Sequence, residues 1–205
     1  SKLVRASAVI DGVSLPHTRE LAGVLGKWWR VRAESCRARA VAARAFGNAA
    51  GEAGWIREAG VQALKAELAG KGETYLESKW LAEQLRRAGD SAAAELLGAT
   101  GGASTGFAVR WAELADERLR TRAPSPAQLR IERAPEVTTW IIGSRAHVVR
   151  GREDVFVLTS EFADAWRRVV PGRSLAWHLD GDSARAEVLE WALDLGLMRL
   201  SVRTG

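Results

Sequence analysis

Residues 137–170 read VTTWIIGSRAHVVRGREDVFVLTSEFADAWRRVV and carry the clearest structural pattern in the sequence. It contains three short runs rich in Val, Ile, Phe and Trp, at 137–142, 145–150 and 154–158. Gly143-Ser144 separates the first two runs and suits a two-residue type II′ hairpin turn, and GRED turns the chain again before the third run. The stretch therefore predicts a three-stranded antiparallel meander.

Three helix patterns follow this meander. Ser160 is a suitable N-cap, and Phe162, Trp166 and Val169 fall on one side of the first helix. Shorter helices are predicted at about 174–179 and 183–195, and LMRLSV near the end of the chain predicts a final strand. The C-terminal part thus has the order strand, strand, strand, helix, helix, helix.

The part before the meander is different in character. Residues 1–122 predict a mostly helical domain that begins with a β-hairpin around Asp11-Gly12. Helices are expected at about 17–26, 28–46, 55–69, 75–88 and 91–97, with a further helix after the Gly-rich segment 98–106. Pro124 and Pro126 disfavour helix, so we predict a linker at 123–136 and a second domain at 137–205. The fold class is α+β.

The meander followed by three helices resembles one branch of the winged-helix architecture, the PqqD-like domain or RiPP recognition element. The resemblance covers about 137–202 and rests on the element order and on DVFVLTSEFADAWRRVVPG, in which a strand ending in Leu-Thr leads into an aromatic-bearing helix and a Pro-Gly turn. Residues 1–130 resemble no family that we recognise. The resemblance implies that a leader peptide adds as an extra strand beside the third strand, next to the third helix.

Backbone chemistry supports such a role, since an edge strand offers unpaired N–H and C=O groups that an extended peptide can satisfy. Val155 and Val157 point to one side of the third strand, and Phe156 and Leu158 point to the other. One pair is expected to pack on the helices and the other to line a peptide groove with residues of the last helix. The predicted peptide-binding residues are Val155, Phe156, Val157, Leu158, Arg185 and Leu189.

The distribution of charge offers an alternative, although the net charge is only +5. Residues 1–50 carry nine basic and three acidic side chains, whereas residues 151–205 carry seven basic and nine acidic ones. The acidic last helix disfavours DNA, so a nucleic acid would bind the helix at 27–44 instead, where several arginines accompany the adjacent Trp28 and Trp29. The residues of this surface, which could equally contact a protein partner, are Lys27, Trp28, Trp29, Arg30, Arg37 and Arg44.

Catalytic and metal-binding motifs are not evident. His17, His147 and His178 match no metal-ligand spacing, and Cys36, the only cysteine, has arginine neighbours but no base to activate it. We therefore expect no metal and no cofactor. A single cysteine and the lack of a long apolar run indicate a cytoplasmic protein without a membrane anchor.

The resemblance to the RiPP recognition element implies a non-catalytic bacterial subunit that holds a precursor peptide for a separate modifying enzyme in RiPP biosynthesis. A winged-helix DNA- or RNA-binding protein is the alternative, and an enzyme of unrecognised type is the third.

Overall fold

A computed structural model describes residues 18–99 and 105–202, which form eight α-helices and five β-strands. In chain order these are α1 (Thr18–Ala45), α2 (Ala49–Gly70), α3 (Ser78–Arg87), α4 (Ser91–Gly98), α5 (Thr105–Leu119), β1 (Leu129–Arg133), β2 (Val137–Ile142), β3 (Arg145–Arg150), β4 (Asp154–Leu158), α6 (Ser160–Arg167), α7 (Leu175–Leu179), α8 (Ser183–Asp194) and β5 (Met198–Val202). The predicted α+β class is confirmed. The predicted hairpin around Asp11-Gly12, together with His17, lies outside the described residues.

The chain divides into two compact units. Among the described residues, the helical unit comprises those up to Arg37 together with those of Ala53–Arg122, and the C-terminal unit comprises Ala38–Glu52 together with those from Ala123 onward. Helix α1 contributes to both units, because its last turns belong with the C-terminal unit. The predicted domains, 1–122 and 137–205, did not include this contribution of 38–52 to the second unit.

In the helical unit, small residues let the helices pack closely. Gly60 on α2 meets the indole of Trp111 on α5 so closely that a Cβ at Gly60 would lie 2.3 Å from Trp111 Cε3. Trp111 is fully buried, and Cys36 packs with Ala59 and Ala115. The helices predicted at 17–26 and 28–46 are one helix, because Gly26 at their junction lies against Ala66 and Ala69 and does not end α1.

In the C-terminal unit, β2, β3 and β4 form the predicted antiparallel meander with β3 in the middle. Gly143 has a φ of 61° and Ser144 does not have a positive φ, as a type II′ turn requires. Helices α6, α7 and α8 follow the meander, so the predicted order of three strands and three helices is also confirmed.

A second, two-stranded sheet joins the two ends of this unit. Strand β1 pairs antiparallel with β5, and Leu129 and Ile131 of β1 are fully buried. β1 lies within 123–136, which the sequence analysis assigned to a linker. That segment is corrected to a structural strand followed by a turn at 135–136.

The core of the C-terminal unit lies between one face of the meander and its helices. Ala146, Val148 and Leu158 supply the inner face of the sheet, and Val188 and Ala192 supply the facing side of α8. Trp166 on α6 is buried in this core, and its indole N–H donates to Thr139 Oγ1 at 3.2 Å. Ala38 and Ala42 from the end of α1 belong to the same core.

Candidate functional site

Strand β4 is an edge of the meander. Within residues 18–99 and 105–202, β4 pairs with β3 and with nothing else. The edge position, which the sequence analysis made the condition for peptide docking, is therefore present.

The hairpin turn determines which backbone groups of β4 face the open side. In a two-residue hairpin the residues that flank the turn form a hydrogen-bonded pair, here Ile142 and Arg145. Bonded pairs recur every second residue, so His147 and Val149 also direct their N–H and C=O groups toward β2. Ala146, Val148 and Arg150 then bond to β4, through Leu158, Phe156 and Asp154. The N–H and C=O groups of Val155 and Val157 consequently point away from β3, toward the open edge.

The side chains of β4 alternate in burial, as the sequence predicts. Val155 and Val157 are 57% and 52% exposed on the outer face of the sheet, whereas Phe156 and Leu158 lie on the inner face. Leu158 is buried in the core and is not free to contact a peptide, so its predicted binding role is corrected to a packing role. Phe156 is only partly buried, although it packs against the same core.

Helix α8 flanks the inner side of β4 through an aromatic contact. Trp191 lies edge-on to Phe156, with ring centroids 5.7 Å apart, and also meets Trp166 at 6.4 Å. Arg150 fixes the end of α8 by donating to the carbonyl of Leu195, and its Nε donates to Asp154 Oδ2 at 2.8 Å. The edge of β4 is thus bordered by a partly exposed Phe156–Trp191 pair, which we call the aromatic cleft.

The two residues of α8 that the sequence predicted for peptide binding do not lie at the aromatic cleft. Leu189 is completely buried in the core, and Arg185 is only 8% exposed. Arg185 Nε donates to the carbonyl of His178 at 2.7 Å, and its guanidinium lies 4.8 Å from the centroid of the Trp177 ring. Both assignments are wrong, because α8 turns the side with Val188, Leu189 and Ala192 to the core. Trp191 is the residue of α8 at the cleft, where it also packs against the core.

The outer face of the meander is a further site that the sequence analysis missed. Trp140 and Ile142 are each 62% exposed there, and the register places His147 between Trp140 and Val157 across the three strands. Val149 lies in the next row, beside Val155. These residues, Trp140, Ile142, His147, Val149, Val155 and Val157, form what we call the outer apolar face. The sequence signal for this surface was the presence of consecutive apolar residues in β2 and β4, which place apolar side chains on both faces of the sheet.

The basic surface expected on α1 is not continuous. Arg37 is only 4% exposed, and its NH1 group lies 2.7 Å from Asp116 Oδ1. Arg30 donates to the carbonyl of Leu119 at 3.0 Å, and Arg44 donates from Nε to Glu52 Oε1 at 2.8 Å. Arg37 is therefore a structural residue, and the assignment of Arg37 to an exposed binding surface is wrong.

The remaining residues of that surface include both exposed and packed groups. Lys27 is exposed and Trp28 is half-exposed, with the Arg32 guanidinium 5.1 Å from the centroid of the Trp28 ring. Trp29 is less exposed and lies under the Lys65 ammonium at 4.5 Å. Burial lowers the pKa of Lys65 from its ordinary value, although nearby Glu58 opposes this effect. Nucleic-acid binding stays an alternative prediction with a smaller set of available cations.

The groups considered for catalysis occupy separate places. Cys36 is buried, His147 lies on the outer apolar face, and His178 is fully buried with Nε2 3.1 Å from the carbonyl of Val170. Burial lowers the pKa of His178. Across the two described segments, no group of three or more His, Cys, Asp or Glu side chains is arranged to hold a metal ion. None of the helices that the structure describes has the length and apolar character needed to cross a lipid bilayer.

Comparisons with known proteins do not extend these observations: no family model, no curated protein and no solved structure matches the chain.

Proposed function

We propose that this chain is a non-catalytic cytoplasmic subunit that holds an extended precursor peptide on the edge of β4 and presents it to a separate peptide-modifying enzyme in bacterial RiPP biosynthesis. The observation that carries the proposal is the position of β4, an edge strand with the aromatic cleft of Phe156 and Trp191 beside it. The resemblance of 137–202 to PqqD-like domains supports the same role.

Docking would follow the rules of strand addition. The N–H and C=O groups of Val155 and Val157 point to the open side, so an extended peptide gains hydrogen bonds there without displacing β3. Every second side chain of the peptide would then lie against the aromatic cleft. The backbone supplies affinity and the cleft supplies selectivity.

Presentation requires a second surface for the enzyme, and the outer apolar face supports this part of the proposal. Trp140 and Ile142 expose apolar area next to the hairpin turn, on the face of the sheet opposite to the aromatic cleft. Contiguous exposed apolar patches commonly mark protein contacts. A peptide on β4 would extend this face by one strand, so its outward side chains would lie beside the docked enzyme.

The test begins with selection of phage-displayed random 12-residue peptides on the purified protein. The affinity of a selected peptide is then measured by fluorescence anisotropy. Val157→Pro removes an N–H group that faces the open edge but not a bond to β3. We expect the affinity of this variant for the selected peptide to fall by about 10-fold or more. One backbone hydrogen bond to the peptide is lost, and the proline ring obstructs the neighbouring hydrogen bond.

Val157→Thr is the matched control, because threonine keeps the N–H group, the β-branch and the strand preference. This variant is expected to bind the selected peptide within about 3-fold of the wild type, and circular dichroism should show that both variants remain folded. Equal binding by Val157→Pro and the wild type would refute docking on the β4 edge. A library that yields no binder would refute the proposed function itself.

A further inference from the structure

We infer that the peptide held on β4 is basic, and that it carries two Lys or Arg residues four positions apart with an apolar residue midway between them. This inference rests on the proposed function and specifies its ligand. It comes from the part of α8 that borders the aromatic cleft, and it assigns a binding role to Glu187 and Asp194.

The position of Trp191 shows which side of α8 faces the cleft. Its ring lies edge-on to Phe156 of β4, whereas the core side of the helix carries Val188 and Ala192. Helix spacing places Glu187 one turn before Trp191 and Asp194 nearly one turn after it, on the same side of α8. Both carboxylates are exposed.

These two carboxylates are not neutralised within the part of the chain that the structure describes. Neither Glu187 nor Asp194 forms an ion pair there. Arg185, the only basic residue of α8, is buried and donates to carbonyls of the α7 region. Glu190, in contrast, has a partner, because its Oε1 accepts from Asn48 Nδ2 at 2.7 Å. The cleft is therefore bordered by negative charge that favours a cationic ligand.

The spacing of the carboxylates sets the pattern of the peptide. Glu187 and Asp194 are seven residues apart, which is about 10 Å along a helix at 1.5 Å per residue. In an extended peptide, residues i and i+4 point to the same side and lie about 13 Å apart. Long, flexible Lys and Arg side chains bridge that difference of about 3 Å. The residue at i+2 lies between them on the same side, where it meets the apolar surface of Phe156 and Trp191.

The experiment uses the full-length protein and compares two charge-reversed double variants. Glu187→Lys with Asp194→Lys reverses the charge beside the cleft. Glu113→Lys with Glu117→Lys makes the same change in charge on α5 of the helical unit, at exposed carboxylates that form no ion pair within 18–99 and 105–202. Each protein is used to select from the 12-residue phage library, and the peptide selected by the wild type is titrated against all three proteins in low and high salt.

The wild type and the α5 variant are expected to select peptides with Lys or Arg at i and i+4 around an apolar residue. The α8 variant should bind the wild-type peptide at least about 10-fold more weakly in low salt, and should itself select acidic residues at those positions. Peptides without a charge preference, bound equally by the α8 variant, would overturn this inference while leaving docking on β4 intact. Failure of every protein to enrich peptides would overturn the proposed function along with it.

Discussion

The two faces of the meander have nearly the same apolar composition but opposite surroundings. On the inner face, Ala146 and Val148 are fully buried among the helices of the C-terminal unit. On the outer face, Trp140 and Ile142 are more than half exposed, although they belong to the same hairpin. The inner face of the sheet forms part of the core, whereas the apolar residues of the outer face lie outside the core.

This difference shows how the two faces constrain the sequence. Burial of the inner face stabilises the fold, so its residues are determined by packing. Polar residues on the outer face would satisfy folding equally well, because strands of a one-sided antiparallel sheet normally alternate between apolar and polar residues. Apolar residues at Trp140, Ile142 and Val157 therefore support the proposal that this face contacts a protein partner. Four predictions test the contrast between the two faces.

The largest effect is expected from a charge on the inner face. Val148→Asp places a carboxylate at a fully buried position within the apolar core, and unpaired buried charge is among the most destabilising of changes. We expect loss of more than about 4 kcal/mol of unfolding free energy, which would unfold the C-terminal unit. Chemical denaturation monitored by tryptophan fluorescence measures it. Val149→Asp, one residue along on the outer face, is the control and should remain folded.

A smaller effect is expected at the border between the faces. Phe156→Ala removes a partly buried ring that packs on Trp191, so the free energy of unfolding should fall by about 1–3 kcal/mol, less than for a fully buried Phe. Val155→Ala on the same strand should cost about 0.5 kcal/mol, because Val155 is mostly exposed. Urea titrations of the two variants measure both losses of unfolding free energy. Equal losses would contradict the placement of Phe156 on the inner face and Val155 on the outer face.

The buried histidine provides a comparison based on pH. Burial lowers the pKa of His178 in the folded protein below its value in the unfolded chain, so acid favours the unfolded state, which binds the proton more readily. The contribution of His178 to stability is complete above the ordinary histidine pKa of about 6.5 and is lost as the pH falls toward the lowered pKa. Thermal unfolding midpoints between pH 7.5 and 5 should decline, and His178→Gln should decline less steeply. An identical slope in the two proteins would rule out this role for His178.

The smallest effect on stability is expected on the outer apolar face. Trp140→Thr combined with Ile142→Thr should change the unfolding free energy by no more than about 0.5 kcal/mol per site, because both side chains are mostly in solvent and threonine favours strands. Differential scanning calorimetry tests this directly. A loss of several kcal/mol would show that these residues contribute to the core, and the comparison of the two faces would fail.

Local signals in the sequence were sufficient for much of the C-terminal unit. The Gly143-Ser144 turn and the alternation in 154–158 each involve neighbouring residues, and both form where expected. The predicted N-cap of α6 was wrong by one residue, because Thr159 precedes the helix, Ser160 is its first residue, and the Thr159 side chain makes no capping hydrogen bond. β1 was missed because its partner, β5, is distant in the sequence and because Pro124 and Pro126 precede it. The alternation of Leu129 and Ile131 with charged residues was the signal that could have revealed it.

The candidate site was less predictable than the fold, since it depends on the rotation of α8 about its axis. α8 carries apolar residues on most of its circumference, so sequence spacing alone does not distinguish Leu189 in the core from Trp191 at the cleft. Arg37 was misassigned for a related reason. Its partner Asp116 lies 79 residues away, and composition does not reveal which cations such distant carboxylates neutralise.

The division of α1 between the two units restricts where the boundaries of recombinant fragments can be placed. The C-terminal unit is discontinuous in sequence, because Ala38 and Ala42 complete a core whose other residues begin at Leu129. A recombinant fragment that starts at residue 123 would lack this part of its own interior and would leave apolar side chains uncovered. A transplantable version has to begin near Ala38 and replace 53–122 with a designed connection. Domain fusions and deletion series based on simple N-terminal truncation would therefore report a folding defect where a loss of binding was intended.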